Sequence, residues 1–191
     1  MPRGKNKEQI LEAGLDLLYK QGFNASGVQE IANASGVPKG SFYNYFKSKE
    51  AFAEQVLDRY TDDLCIYLNQ MLLKAEGSPL SRLQMMFNDW SRKFVDNGCG
   101  CLAGNLSQEL AIQSPVLQEA LDRAFNRLQS YYIACLDEAQ KAGEIDKNAD
   151  PELLGTFIYN GCQGAMVRAK AQGNVKALEQ FQEVIFEILL K

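Results

Sequence analysis

The sequence predicts an all-α protein of about nine helices, a three-helix N-terminal domain followed by a larger helical body. Apolar residues recur at spacings of three and four from end to end, the period of a helix with one buried side. Gly, Pro and Asn interrupt that pattern at intervals of about one helix length. No stretch shows the strict alternation of a half-buried strand. With 191 residues, 46% hydrophobic and 23% charged, the chain has the make-up of an ordinary soluble protein and can bury a sizeable core.

A first helix is expected over 5–21, burying Ile10, Ala13, Leu17 and Leu18, with Gly22 as a left-handed C-cap and Phe23 as its hydrophobic contact. Ser26-Gly-Val-Gln29 reads as a capping box. It opens a helix to about Ser35 that buries Val28, Ile31 and Ala32. Gly36 permits a turn, and Pro38 suits the first position of a short helix ending near Phe46. Ser48-Lys-Glu-Ala caps a longer helix reaching Lys74. After the break at Gly77-Ser-Pro79, a helix to Asp96 carries Leu83, Met86, Phe87, Trp90 and Phe94. Asn97-Gly-Cys-Gly100 is a loop. Helices over about 101–111 and 115–142 follow, then a loop. Asp150 and Pro151 are the N-cap and first residue of a helix to Ala171, and the last helix spans about 174–190.

Composition excludes several functions. There is no histidine, which removes the commonest general base, metal ligand and pH switch. No glycine-rich phosphate loop or metal-ligand spacing is present, so neither catalysis nor a metal or cofactor is expected. Five cysteines form an odd set unsuited to a disulfide framework. No apolar run is long enough to span a membrane, and the basic start leads directly into an amphipathic pattern, which points to the cytoplasm. The net charge of −4 is uneven. Residues 1–50 hold seven Lys/Arg against five acids, a net +2 that leaves −6 for the rest. A small nucleic-acid reader on an acidic body has that asymmetry.

Two short helices joined at a glycine have the dimensions of a helix-turn-helix. The content of the second, Pro38-Lys-Gly-Ser-Phe-Tyr-Asn-Tyr-Phe-Lys-Ser-Lys49, strengthens the reading. Only Phe42 and Phe46 need burial, which leaves Lys39, Ser41, Tyr43, Asn44 and Tyr45 on the outside or edge. Lysine supplies charge for phosphate and can donate to guanine, Asn can pair with adenine, and Tyr hydroxyls reach phosphate oxygens. Gly40 lets the backbone approach a base or sugar edge. No acid lies between Glu30 and Glu50.

This stretch, above all Ile31 to Glu50, closely resembles the DNA-binding domain of the TetR/AcrR family of transcriptional regulators, and the chain length and helical body fit the same family. The resemblance implies a helix-turn-helix DNA-binding domain over 1–47 and a ligand-sensing and dimerisation domain over 48–191. It makes Lys39, Gly40, Ser41 and Asn44 face bases, while Tyr43, Tyr45 and Lys49 hold phosphates. Gly27 departs from the hydroxyl residue common in the family, which leaves Ser26 as the phosphate contact. The implied partner is a palindromic double-stranded operator, bound by a homodimer whose recognition helices enter successive major grooves roughly 34–36 Å apart. An inducer that favours a wider spacing then costs both half-sites their register.

The last two helices are expected to form the dimer face. Gly155, Gly161, Gly164 and Ala165 would allow close approach of a partner's helix, or else pack within the chain, and Leu178, Phe181, Ile185, Ile188 and Leu189 would supply apolar surface. By analogy with the family, Phe87, Trp90, Phe94, Phe125, Tyr131 and Tyr132 would line a ligand pocket. Cys99-Gly-Cys101 adds a thiol near a helix start, where the amides favour thiolate. Cys101 has three readings: a metal ligand, a small buried residue, or a reactive sensor. The segment Gly100 to Glu109 resembles the branch of the family typified by the N-ethylmaleimide-reductase repressor, and so does Gly164 to Lys170. That branch senses electrophiles through a cysteine matching Cys101, with Lys170 as a candidate ammonium partner. The function expected is a repressor released by a small molecule or by electrophile or oxidant modification of Cys101. A thiol-dependent helical enzyme and a helical adaptor that binds no DNA are the alternatives.

Overall fold

The computed structural model describes residues 3–98 and 100–191, so Cys99 lies outside the described residues. Among these are nine α-helices and no strand: α1 (Arg3–Ala25), α2 (Val28–Ala34), α3 (Lys39–Tyr43), α4 (Lys49–Leu68), α5 (Pro79–Asn97), α6 (Leu102–Leu110), α7 (Pro115–Lys141), α8 (Pro151–Gln172) and α9 (Lys176–Val184). Helices α4 and α9 each continue as a π-helical stretch, Asn69–Lys74 and Ile185–Leu189.

Every expected helix is present, with local differences that have physical causes. Gly22, with φ 80° and ψ 177°, breaks α1 at a kink, and only residues 23–25 of the helix lie beyond it. The capping box does not form at Ser26. Gly27 is the N-cap of α2, and the Glu30 carboxylate accepts from the Gly27 N–H at 3.4 Å. Pro38 sits outside α3 as its N-cap, with φ −62° and ψ 143°. Elsewhere the caps are as expected: Asp150 accepts from the amides of Glu152 and Leu153 at 2.9 and 3.1 Å, and α5 opens with Pro79 behind Ser78.

The chain forms two compact units, residues 1–62 with 102–125, and residues 63–101 with 126–191; α4 and α7 contribute to both. The first is built around Ile10, Leu18, Ile31, Phe42, Phe46 and Phe52, all buried. The three phenylalanines form a triangle with ring centroids 5.1–5.3 Å apart. In α6, Leu102, Leu106 and Leu110 recur every fourth residue and are buried, so the helix turns one face into the core, and it neighbours α1.

In the second unit, the buried set includes Leu68, Leu83, Met86, Phe87, Tyr132, Ile158, Tyr159, Cys162 and Ile185. Here the glycines of α8 divide. A Cβ on Gly155 would stand 2.9 Å from the Ile133 backbone, and one on Gly161 would stand 2.7 Å from the Phe181 ring. These two glycines therefore seat α7 and α9 within the same chain, which corrects their assignment to a dimer face. Ala165 is buried against Leu178 and Phe94. Gly164 alone of the group meets nothing within 4 Å. Arg82, 6% exposed, is paired with Glu138, which offsets part of the cost of burying a guanidinium, while its Nε is left without a hydrogen-bond partner.

A candidate nucleic-acid interface and a buried thiol

Helix α3 has five residues, too few to hold itself in water, and Phe42 roots it. With Phe42 turned into the phenylalanine triangle, Lys39, Gly40, Tyr43 and Asn44 are exposed, and Ser41 and Tyr45 are half-buried at the edge. Tyr43 is 54% exposed, with its ring edge-on to Phe42 at 5.4 Å. A Cβ on Gly40 would meet nothing within 4 Å, so nothing inside the chain requires glycine there.

Two of the expected phosphate contacts sit elsewhere. Ser26 is fully buried, its hydroxyl donating to the Gly22 carbonyl at 2.6 Å and accepting from Gln21 Nε2 at 3.3 Å. The Lys49 ammonium donates to the Phe23 carbonyl at 2.6 Å and lies 4.0 Å from the centre of the Phe23 ring. Burial pulls its pKa below the usual lysine value, against the opposing pull of Glu50 and Glu109. The exposed face of α3 therefore does not include the Ser26 hydroxyl, and the Lys49 ammonium is engaged with the end of α1.

The second unit contains an aromatic cluster. Phe87, Trp90 and Tyr132 lie 6.2–6.5 Å apart by ring centroid. Phe87 also meets Phe181 at 5.6 Å and Phe186 at 6.2 Å, and Tyr132 meets Tyr159 at 5.4 Å. Phe94 packs on the Ala165–Leu178 cluster. Tyr131 belongs to this unit and is half-buried. Phe125, expected among the lining residues, belongs to the other unit. Tyr159 and Phe186 were not singled out by their spacing, and Phe181 was assigned to the dimer face, because an aromatic on a helix carries no mark of which partner it meets.

Cys101 is 7% exposed and immediately precedes α6. The four described cysteines are thiols. Burial raises the pKa of Cys162, Tyr132 and Tyr159, and a charge on the Cys101 sulfur would add to each rise, so Cys101 lies within electrostatic reach of that group. Burial likewise raises Cys135 to about 12, and it donates to the Pro79 carbonyl at 3.3 Å. Lys170, in the last turn of α8, is exposed. Among the described residues no group of acids and cysteines is arranged to hold a metal, and no helix is long and apolar enough to cross a membrane.

Comparison with known proteins adds a lineage to this geometry. Residues 10–56 match the model of bacterial regulatory proteins of the tetR family, and residues 79–185 match the tetracyclin repressor-like C-terminal domain. The chain is 38% identical over 190 residues to the HTH-type transcriptional repressor DhaR of Mycobacterium sp. (strain GP1), covering 100% of this chain and 95% of that protein. Among solved structures, the regulatory protein TetR from Rhodobacter sphaeroides superposes with a TM-score of 0.86 at 32% identity, covering 93% and 95% of the two chains. The reduced form of E. coli NemR superposes with a TM-score of 0.90 at 27% identity, covering 96% of each.

Proposed function

The chain belongs to the tetR family of bacterial regulatory proteins, DNA-binding regulators of transcription and not enzymes, and from that premise we propose a dimeric cytoplasmic repressor that leaves a palindromic operator when an inducer reaches its body. Residues 1–47 read the operator, and residues 48–191 sense and dimerise. The observation that carries the DNA reading is the outward face of α3. Lys39, Gly40, Tyr43 and Asn44 are all exposed on a helix that Phe42 and Phe46 fix from behind. Donors on a rigid helix are what base-edge recognition requires. Ser41 and Tyr45 flank this face, while Ser26 and Lys49 act from behind it by fixing the end of α1.

Pairing through α8 and α9 is supported by the apolar side chains they leave outside. Leu153, Phe157 and Val167 on α8 are 50–67% exposed, Val184 and Ile188 at the end of the chain 47% and 72%, and Gly164 lies open among them. Leu153, Phe157, Gly164 and Val167 share one face of α8 by their spacing, and apolar side chains left outside in this way mark an interface.

For the inducer, the reading favoured here is an electrophile or oxidant that modifies Cys101. The thiol stands at the entrance to α6, next to two tyrosines and a cysteine held protonated by burial. Similarity to a repressor whose structure is described as a reduced form also supports a thiol-based signal. The Lys170 ammonium is the candidate counter-charge, and it has to reach the thiol from an exposed position. The aromatic cluster around Phe87, Trp90, Phe94 and Tyr132 favours a second reading, reversible binding of an apolar ligand beside an inert Cys101.

Selection of bound sites from random duplex DNA tests the central claim. The expected result is an inverted repeat with half-sites about one helical turn apart, bound by a dimer and weakened by salt. A monomer with no sequence preference would refute it.

A further inference from the structure

We propose that Glu109 is a positioning residue for operator binding: its carboxylate, reaching from α6, fixes the broken end of α1 and with it the posture of the helix-turn-helix. The inference rests on the DNA-binding reading above. It starts from the backbone at Gly22. At that break, φ 80° and ψ 177°, the Phe23 and Asn24 N–H groups and the Gly22 and Phe23 carbonyls take partners outside the ladder of α1.

The Phe23 and Asn24 N–H groups both donate to Glu109, at 3.2 Å to Oε1 and 2.9 Å to Oε2. The Gly22 carbonyl accepts from the Ser26 hydroxyl. The Phe23 carbonyl accepts from the Lys49 ammonium at 2.6 Å and from the Ser26 N–H at 3.1 Å. Gln21 also donates to the Glu30 carboxylate that caps α2. One short stretch therefore gathers α1, the approach to α2, the first residue of α4, and α6.

The φ of 80° at residue 22 favours glycine, and a Cβ there, 2.2 Å from Glu109 Oε1, would push the carboxylate off the two amides it accepts from. Two N–H donors converging on two oxygens suit a carboxylate, which is all acceptor, better than any other side chain. Of the residues in this node, only Glu109 lies outside the continuous segment of the first unit that contains the helix-turn-helix. Helix α6 neighbours α1 and buries Leu102, Leu106 and Leu110 without drawing on Glu109, so Glu109 sets the angle of the corner more than the existence of the contact.

If the corner is loosened, only a fraction of molecules hold α2 and α3 ready for the groove, and apparent affinity falls by that fraction. Phosphate contacts are untouched, so the salt slope does not change. The experiment compares E109Q and E109A with the unchanged protein on its selected operator, together with thermal melting and amide exchange at residues 22–24. Glutamine keeps the shape but offers one acceptor and turns a donor toward a donor. The expected result is binding weaker by about tenfold or more, with E109A at least as impaired. The salt slope should stay unchanged and the melting midpoint should move by less than about 2 °C. Exchange should be faster at Phe23 and Asn24 while Ile31 stays protected.

Unchanged affinity would overturn the proposal. So would a reduced salt slope, which means a direct phosphate contact, or a fall in melting that accounts for the lost binding, which means a merely structural role. Failure of the unchanged protein to bind any duplex would refute the operator reading instead. The exchange measurement needs no DNA and judges Glu109 by itself.

Discussion

Phe52 occupies the space that residue 14 leaves empty: a Cβ on Gly14 would stand 2.1 Å from Cζ of the Phe52 ring. A glycine within α1 weakens the helix relative to alanine by about 0.5–1 kcal/mol. Here it lets a fully buried ring complete the phenylalanine triangle. Gly14→Ala is therefore expected to destabilise the protein by about 1–3 kcal/mol, against its helix propensity, because the ring has no slack to retreat into. Denaturant unfolding checks this, and a gain in stability would show that the ring can move.

Gly40 is the opposite case, with open space around its missing Cβ. Gly40→Ala should leave unfolding unchanged or raise stability by about 0.5–1 kcal/mol. Operator binding should fall if the backbone of α3 closely approaches the DNA. Lys39→Ala should lower the salt slope by about one per protomer where lysine meets phosphate, whereas Asn44→Ala should relax preference at one base pair at a cost of about 1–3 kcal/mol. Titrations at several salt concentrations separate the three.

The thiols should respond unequally. Near neutral pH Cys162 is held protonated by burial, and Cys135, raised to about 12, is equally unreactive. With N-ethylmaleimide as the probe, Cys101→Ser should keep operator binding and lose release. Cys162→Ser and Cys135→Ser should still be released. Release of the Cys101→Ser protein at the normal probe concentration would turn the inducer reading toward reversible apolar ligands.

On the outward face of α8, Phe157 is 56% exposed and Gly164 is open. Phe157→Glu places a charge where a partner helix is expected to dock. Sedimentation should then show monomers of normal fold, and operator affinity should fall by at least about a hundredfold as the second half-site is lost. A dimer of undiminished stability would place the interface elsewhere.

Much of this was legible in advance. The helices could be read because their apolar period is long and their breaks carry Gly, Pro or Asp. The exposed face of α3 could be read because Phe42 and Phe46, four apart, leave only one way to bury both. Where the reading slipped, two local solutions were nearly equal or the partner was remote. Gln29 and Glu30 each stand three residues after a possible cap, and Glu30 does the capping, from Gly27. Lys49 looks free in sequence, because nothing nearby announces the Phe23 carbonyl it binds. Gly155 and Gly161 announce close approach but not to which helix. Glu109, 86 residues from Phe23, has no local signature at all.

Because Lys49 is tied to the end of α1, the exposed lysines of residues 28–49 are Lys39 and Lys47. Where only those two meet the backbone, the surface would grip bulk chromosome weakly, since affinity for arbitrary sequence comes from displaced counterions. Such a protein would linger little at wrong addresses and would owe its residence at the right one to directional donors such as Asn44 and Tyr43. Discrimination would then come from a low background as much as from a strong signal, and few copies per cell would suffice to keep a target occupied.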